Sequence, residues 1–172
     1  MAAVLSIHPG PGFMGHHSIF QFVNADSANQ AKACGQAAIA TVLANYHRLP
    51  KGIAGLQRIE KEYPPDVASG EWGTTADRIR RALTSYKVGH HNVSGRDGLE
   101  HAMRHRRAAI ALVQNVGGIK NGGHWFVVFG CDQNGIYATN YTTPFIAWSQ
   151  FADMWSGAIP VVGGMAERVI SC

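Results

Sequence analysis

This sequence predicts an α+β domain, a helical first half packed on an antiparallel sheet. Two observations carry that prediction. Helix-period apolar patterns fill the stretch from Cys34 to His105. Short β-rich runs separated by glycine-rich turn signals fill the chain from Ala109 to Val162. No internal repeat or low-complexity tract breaks this order. The 172 residues suit a single domain, 1–172, large enough for a real core, with 1–29 an irregular N-terminal segment.

The first helix is expected from Cys34 to about His47. Ala37, Ala38, Ile39, Ala40, Val42, Leu43 and Ala44 cover most of its circumference, the pattern of a helix buried on all sides. Pro50 and Gly52 break it. A weaker helix runs from Ile53 to about Glu62, ahead of Pro64-Pro65. Thr74 is the expected N-cap of a third helix, with Asp77 in its first turn and Ala76, Ile79, Ala82, Leu83 and Tyr86 facing inward. A fourth covers Arg96 to His105, with Leu99, Ala102 and Met103 inward.

Strands are then expected at 109–113, 124–129, 136–140 and 145–147, and a short helix from Trp148 to Trp155 is stopped by Gly157. Ile159 to Val162 suits a last strand at a sheet edge, because Pro160 cannot donate to a ladder.

Composition narrows the function. A hydrophobic fraction of 46% against 15% charged residues excludes a disordered chain. The net charge of +4 is too weak for a dedicated nucleic-acid binder. Part of it lies in the run Arg104-His105-Arg106-Arg107, read as a solvated helix end, with an anion-binding patch as the alternative. Cys34, Cys131 and Cys172 form no disulfide framework, which fits a reducing compartment or a free catalytic thiol. The first residues have no cationic region and no long apolar core, and no segment reaches the ~20 apolar residues of a membrane span. The expectation is a cytoplasmic protein, or one exported by a route that needs no signal peptide, with no membrane partner. His16 and His17 lack a companion at liganding spacing and are read as surface histidines, so neither a metal nor another cofactor is expected.

Three residues carry chemistry. Cys34 stands at the expected first turn of a helix, where unsatisfied N–H groups and the helix dipole favour a thiolate. Its plain alternative is a structural cysteine on a core helix. His124 follows Gly122-Gly123 at the start of an apolar strand, a position exposed enough for a working imidazole. Asn140 lies sixteen residues further on, and the midpoint, Asp132, falls in the turn signal Gly130 to Gly135. A chain folded back there would make 124 and 140 cross-strand neighbours, about 4.5–5.5 Å apart at Cβ. An amide that orients an imidazole, which in turn serves a thiol, is the logic of a cysteine triad. An oxyanion would be met by the backbone N–H of Cys34 and by an upstream amide, Gln30, with Asn29 in reserve.

A glutamine shortly before Cys-Gly-x-Ala, then His-aromatic-x-Val-Val, then Asn sixteen residues after the histidine resembles the papain-like cysteine peptidases. The nearest branch is the bacteriocin-processing, double-glycine leader peptidases and their stand-alone relatives. The resemblance covers roughly residues 30–157 and includes Gly73-Thr74 and the late pair Phe151 and Trp155. It implies a papain-like fold in which Cys34 is the nucleophile, His124 the general base and acid, Asn140 the orienting residue and Gln30 the oxyanion-hole glutamine. Two departures stand out: Gln30 is four residues before the cysteine where the family usually has about six, and Asn140 is followed by Tyr141 where that branch usually has proline.

The resulting expectation is a thiol peptidase acting on a peptide or protein through an acyl-enzyme. Two alternatives remain open. One is a deamidase, amidase or transglutaminase-like acyl transferase using the same triad. The other is a non-catalytic peptide-binding module with a cleft lined by Trp72 and Trp125. Oligomeric state is not legible.

Overall fold

The computed structural model describes residues 33–65, 73–105, 107–114, 123–139, 144–156 and 169–171. Within them the chain is α+β, with five helices and an antiparallel sheet. The order is α1 (Cys34–Asn45), α2 (Ile53–Glu62), α3 (Ala76–Ser85), β1 (His91–Val93), α4 (Gly95–Arg104), β2 (Ala109–Gln114), β3 (Gly123–Cys131), β4 (Gly135–Thr139), β5 (Phe145–Ala147), α5 (Trp148–Ser156) and β6 (Val169–Ser171). None of the described helices is long and apolar enough to cross a membrane.

Every residue of α1 is buried, as its all-round apolar pattern requires. Its end differs from the expectation. The helix stops at Asn45, ahead of Pro50, because His47 turns left-handed at φ 55°. The Arg48 N–H then bonds back to the Leu43 carbonyl and the His47 N–H to Ala44, which satisfies the last carbonyls. Lys87 ends α3 in the same way, with Val88 bonding back to Leu83. The N-cap of α3 is Thr75, whose hydroxyl accepts from the Arg78 N–H; Thr74 is buried and engaged elsewhere. Ala76, Ile79, Ala82 and Leu83 are buried as expected, whereas Tyr86 is half-buried and donates to Glu62 across to α2. In α4 the inward residues are Leu99, Ala102 and Met103. The basic run beyond it is a solvated helix end at Arg104, His105 and Arg107, all exposed.

The sheet order is β1-β6-β2-β3-β4-β5, antiparallel at every pairing. Two strands have no counterpart in the sequence reading. β1 is three residues long, and β6 near the end of the chain slots between β1 and β2. Strands this short carry too few alternations to stand out from loop. The strand expected at 159–162 and the stop at Gly157 lie outside the described residues.

Two apolar cores lie on opposite faces of the sheet. Trp125, Val127, Ile110 and Leu112 pack with α1, α2 and α3. Phe126, Val128, Ala109, Ala111 and Val113 pack with α4 and α5. Phe151 of α5 meets Phe126, Trp148 and Trp155 with ring centroids 6.3, 6.1 and 5.0 Å away. Arg96 stacks over the Trp148 ring at 4.4 Å.

The hairpin between β3 and β4 is closed by Asp132. Its Oδ1 accepts from the N–H groups of Asn134 and Gly135, its Oδ2 from the Tyr137 hydroxyl and its carbonyl from the Trp148 indole. The register runs Cys131↔Ile136 and Gly130↔Tyr137, then shifts by a bulge at Phe129 to Val128↔Ala138 and Val127↔Thr139. A fold-back centred on residue 132 would have set Thr139 opposite Trp125. The turn is instead centred beyond Asp132, and the bulge recovers only part of the offset. The hairpin is the expected one, and its register between 127 and 139 is offset by two residues from a fold-back centred on Asp132.

Gly135 shows how tightly this hairpin is held. A Cβ there would lie 2.2 Å from the Ile146 carbonyl oxygen and 2.8 Å from the Phe145 ring. The backbone of β5 would have to move. Gly135→Ala is expected to destabilise the fold by about 1–3 kcal/mol, measured by chemical denaturation; an unchanged midpoint would contradict this packing.

Candidate active site

Cys34 is the first residue of α1 and is 5% exposed. Three backbone N–H groups favour the charged form of its thiol, those of Trp125, Gly35 and Cys34 itself. The last two are the orphan donors of a helix N-terminus. The first comes from β3, a strand remote in sequence, and Trp125 is the residue next to His124. The strand that acts on the thiol is thus the one that carries the candidate histidine near its start.

His124 is half-buried and pairs with Val113 of β2. Its ring leans toward Phe126, with centroids 6.3 Å apart. That is the sheet face opposite the Trp125 ring. Asn140, Gln30 and Asn29 lie outside the described residues, as do Trp72, His16, His17 and Cys172. Trp125 does not line a cleft; it is 1% exposed and belongs to the core. Among the described residues no cluster of three or more His, Cys, Asp or Glu could hold a metal ion.

The electrostatics of Cys34 differ from the expected ones. Burial pushes the thiol up, above the usual range of a cysteine, and is the largest influence on it. The N–H donors of Trp125, Gly35 and Cys34 pull it down, as a helix N-terminus should, but do not outweigh burial. Cys131 is also buried and pushed up to about 11, by burial first and then by the Glu100 carboxylate.

Sequence reasoning missed the polar groups behind the thiol. Gln36 is fully buried one turn into α1. Its Nε2 donates to the Tyr63 carbonyl at 2.8 Å, and its Oε1 accepts from the Thr74 hydroxyl at 3.1 Å. Both ends of this amide are therefore tied to groups from other segments. The Thr74 carbonyl accepts from the Trp125 indole at 2.7 Å. Gly35 lets this segment in: a Cβ there would fall 2.5 Å from the Thr74 Cβ. The signal was present in the sequence as a lone glutamine beside a glycine in an otherwise apolar helix.

These surroundings predict the order of thiol reactivity in the folded protein. At Cys34 backbone N–H groups oppose burial, whereas at Cys131 the Glu100 and Asp132 carboxylates add to it and the Arg96 and Arg104 guanidiniums oppose it. Iodoacetamide should modify Cys34 faster than Cys131, at a rate that climbs with pH beyond the ordinary thiol range of about 8.5. Peptide mapping across a pH series checks both points. A Cys34 rate already at its plateau below neutral pH would mean that burial does not govern the thiol.

No protein family's sequence profile matches this chain, and no curated protein matches it in sequence. Among solved structures it is similar to a protein from Bacillus anthracis provisionally named a C39-like peptidase. The TM-score is 0.59 at 12% identity, over 81% of this chain and 88% of that one. At that identity the likeness is one of fold: this chain has the α+β fold of a C39-like peptidase.

Proposed function

We propose that this protein is a thiol peptidase that hydrolyses peptide bonds through Cys34, His124 and Asn140 by way of an acyl-enzyme. One observation carries the reading. A cysteine at the first residue of a wholly buried helix has, among the groups that favour its charged form, the backbone N–H of the residue after His124, near the start of β3. A merely structural cysteine needs no such neighbour. The shared fold with a protein named as a C39-like peptidase supports the same conclusion.

On this reading the resting thiol is neutral, because burial disfavours its charge. His124 takes the thiol proton as the sulfur bonds to the substrate carbonyl carbon. The oxyanion is met by the Cys34 backbone N–H, with Gln30 as the second donor. Collapse breaks the C–N bond, and the imidazolium gives its proton to the leaving amine. Water, deprotonated by the same imidazole, then cleaves the thioester. Asn140 keeps one ring nitrogen occupied so that the other faces the sulfur. The motif spacing sets the chain nearest the double-glycine leader peptidases, and the substrate is a peptide or protein segment.

Cys34→Ala should abolish turnover and leave the fold almost unchanged, since alanine suits a helix start packed among alanines. His124→Ala should lower turnover by roughly 10²–10⁴-fold, and Asn140→Ala by less, because the ring loses its orientation but keeps its chemistry. The assay is cleavage of a broad peptide panel with mass-spectrometric detection of new termini. Deamidated glutamine or isopeptide cross-links without new termini would replace hydrolysis by the acyl-transfer reading. A Cys34→Ala protein that still cleaves would end both.

A further inference from the structure

Three segments far apart in sequence meet behind the Cys34 thiol, and a chain of hydrogen bonds ties them together. From the C-terminal end of α2, the Tyr63 carbonyl accepts from Gln36 Nε2. Gln36 Oε1 accepts from the Thr74 hydroxyl. The Thr74 carbonyl accepts from the Trp125 indole. The backbone N–H of the same Trp125 is among the groups that favour a charge on the sulfur. Gln36 and Thr74 are 0% exposed and Trp125 is 1% exposed, so the chain of bonds runs through the protein interior. A buried polar group left unpaired costs about 1–3 kcal/mol, which makes each of these links hard to break singly.

The cost of having polar groups here at all needs a reason. Ala, Ile, Val and Leu fill most of α1, and an apolar residue at 36 would join that core without needing partners. The bare Cα of Gly35, against which the Thr74 side chain is pressed, shows that residues 73–75 lie directly on the first turn of α1. A glycine and a glutamine flanking the cysteine are both committed to receiving Thr74, and Thr74 in turn holds the indole of the strand that carries His124.

We propose that Thr74 and Trp125 are positioning residues for the Cys34 thiol: through Gln36 they lock the start of β3 onto the N-terminus of α1, so that the Trp125 backbone N–H is held on the sulfur. This rests on Cys34 being the nucleophile of the proposed peptidase. The donor offsets part of the charge penalty that burial imposes on the sulfur when it loses its proton. A strand start free to shift by an ångström would leave the sulfur with helix donors only, and would also misplace residue 124.

The test reads the thiol itself and so does not depend on finding a substrate. Carboxamidomethylation of Cys34 by iodoacetamide is followed by peptide mapping across pH in the parent, Trp125→Phe, Thr74→Val and Thr74→Ser proteins. Phenylalanine keeps a ring but loses the indole N–H. Valine keeps the shape of threonine but loses the hydroxyl, and serine restores it. The Trp125→Phe and Thr74→Val rates near neutral pH should fall about tenfold, the effect of one hydrogen bond to a charged group, with the midpoint moved to higher pH. Thr74→Ser should follow the parent curve. In the unaltered protein the Trp125 backbone amide resonance should titrate with the same midpoint as Cys34 alkylation. Folded Trp125→Phe and Thr74→Val proteins with parental profiles would overturn the proposal. So would a Trp125 amide that ignores the titration, and that measurement decides the matter even where a variant fails to fold. A parent that cleaves no peptide while amide and thiol titrate together would end the peptidase reading and leave the positioning role standing.

Discussion

The complete burial of α1 is the constraint on which the rest depends. A helix with no solvent face must be enclosed, and here α2, α3 and the sheet enclose it. Small residues at most of its positions let those neighbours come close. Its few polar side chains must then find partners inside the protein: Gln36 bonds to Tyr63 and Thr74, and Asn45 donates to the Thr41 carbonyl. The same enclosure places the helix N-terminus, and so Cys34, within the protein and not at its surface. The helix that gives the sulfur its N–H donors is also the element whose burial works against its charge.

β3 transmits that constraint to the second half. It is a central strand, bonded to β2 on one side and β4 on the other. Alternate residues serve different cores: Trp125 and Val127 the helical one, Phe126 and Val128 the one under α4 and α5. Neither face can slip by a residue without exposing a whole row of apolar side chains. The Asp132 turn fixes the far end of the strand through four bonds to neighbouring groups. The Trp125 indole fixes the near end to Thr74. The histidine stands at that near end, so a strand held at both termini presents it from a rigid frame.

The sequence was most legible where a pattern was long. The all-round apolar run made α1 visible, and the stripes of α2 and α4 gave their extents to within a residue. The hairpin between β3 and β4 was visible from its turn residues, but its register was not. A register depends on how Asp132 closes the turn and on one bulged residue at Phe129, and neither leaves a mark in alternation. β1 and β6 were invisible because each is three residues long and pairs only with segments remote in sequence. Cys34 was legible as a helix start. Its electrostatics were not, because the depth of burial is set by neighbours from α3 and β3. Thr74 illustrates the same limit: the expected cap is packed on Gly35 and bonded to Gln36, and its neighbour Thr75 caps the helix instead.

Burial and the helix N-terminus act on the Cys34 proton in opposite directions. Had the thiol been exposed at a helix N-terminus, the donors would act alone and favour a standing thiolate. Burial works the other way and is the larger influence, which favours the protonated sulfur. On the proposed reading the imidazole therefore has to begin unprotonated and accept that proton during attack. A neutral thiol is also the less easily alkylated or oxidised form, so a cysteine built this way reacts when a base and a carbonyl are both presented to it. The polar chain through Gln36, Thr74 and Trp125 then has a definite task in a core that is otherwise apolar. It leaves the resting proton in place while holding ready the backbone N–H that meets the sulfur once the proton has left.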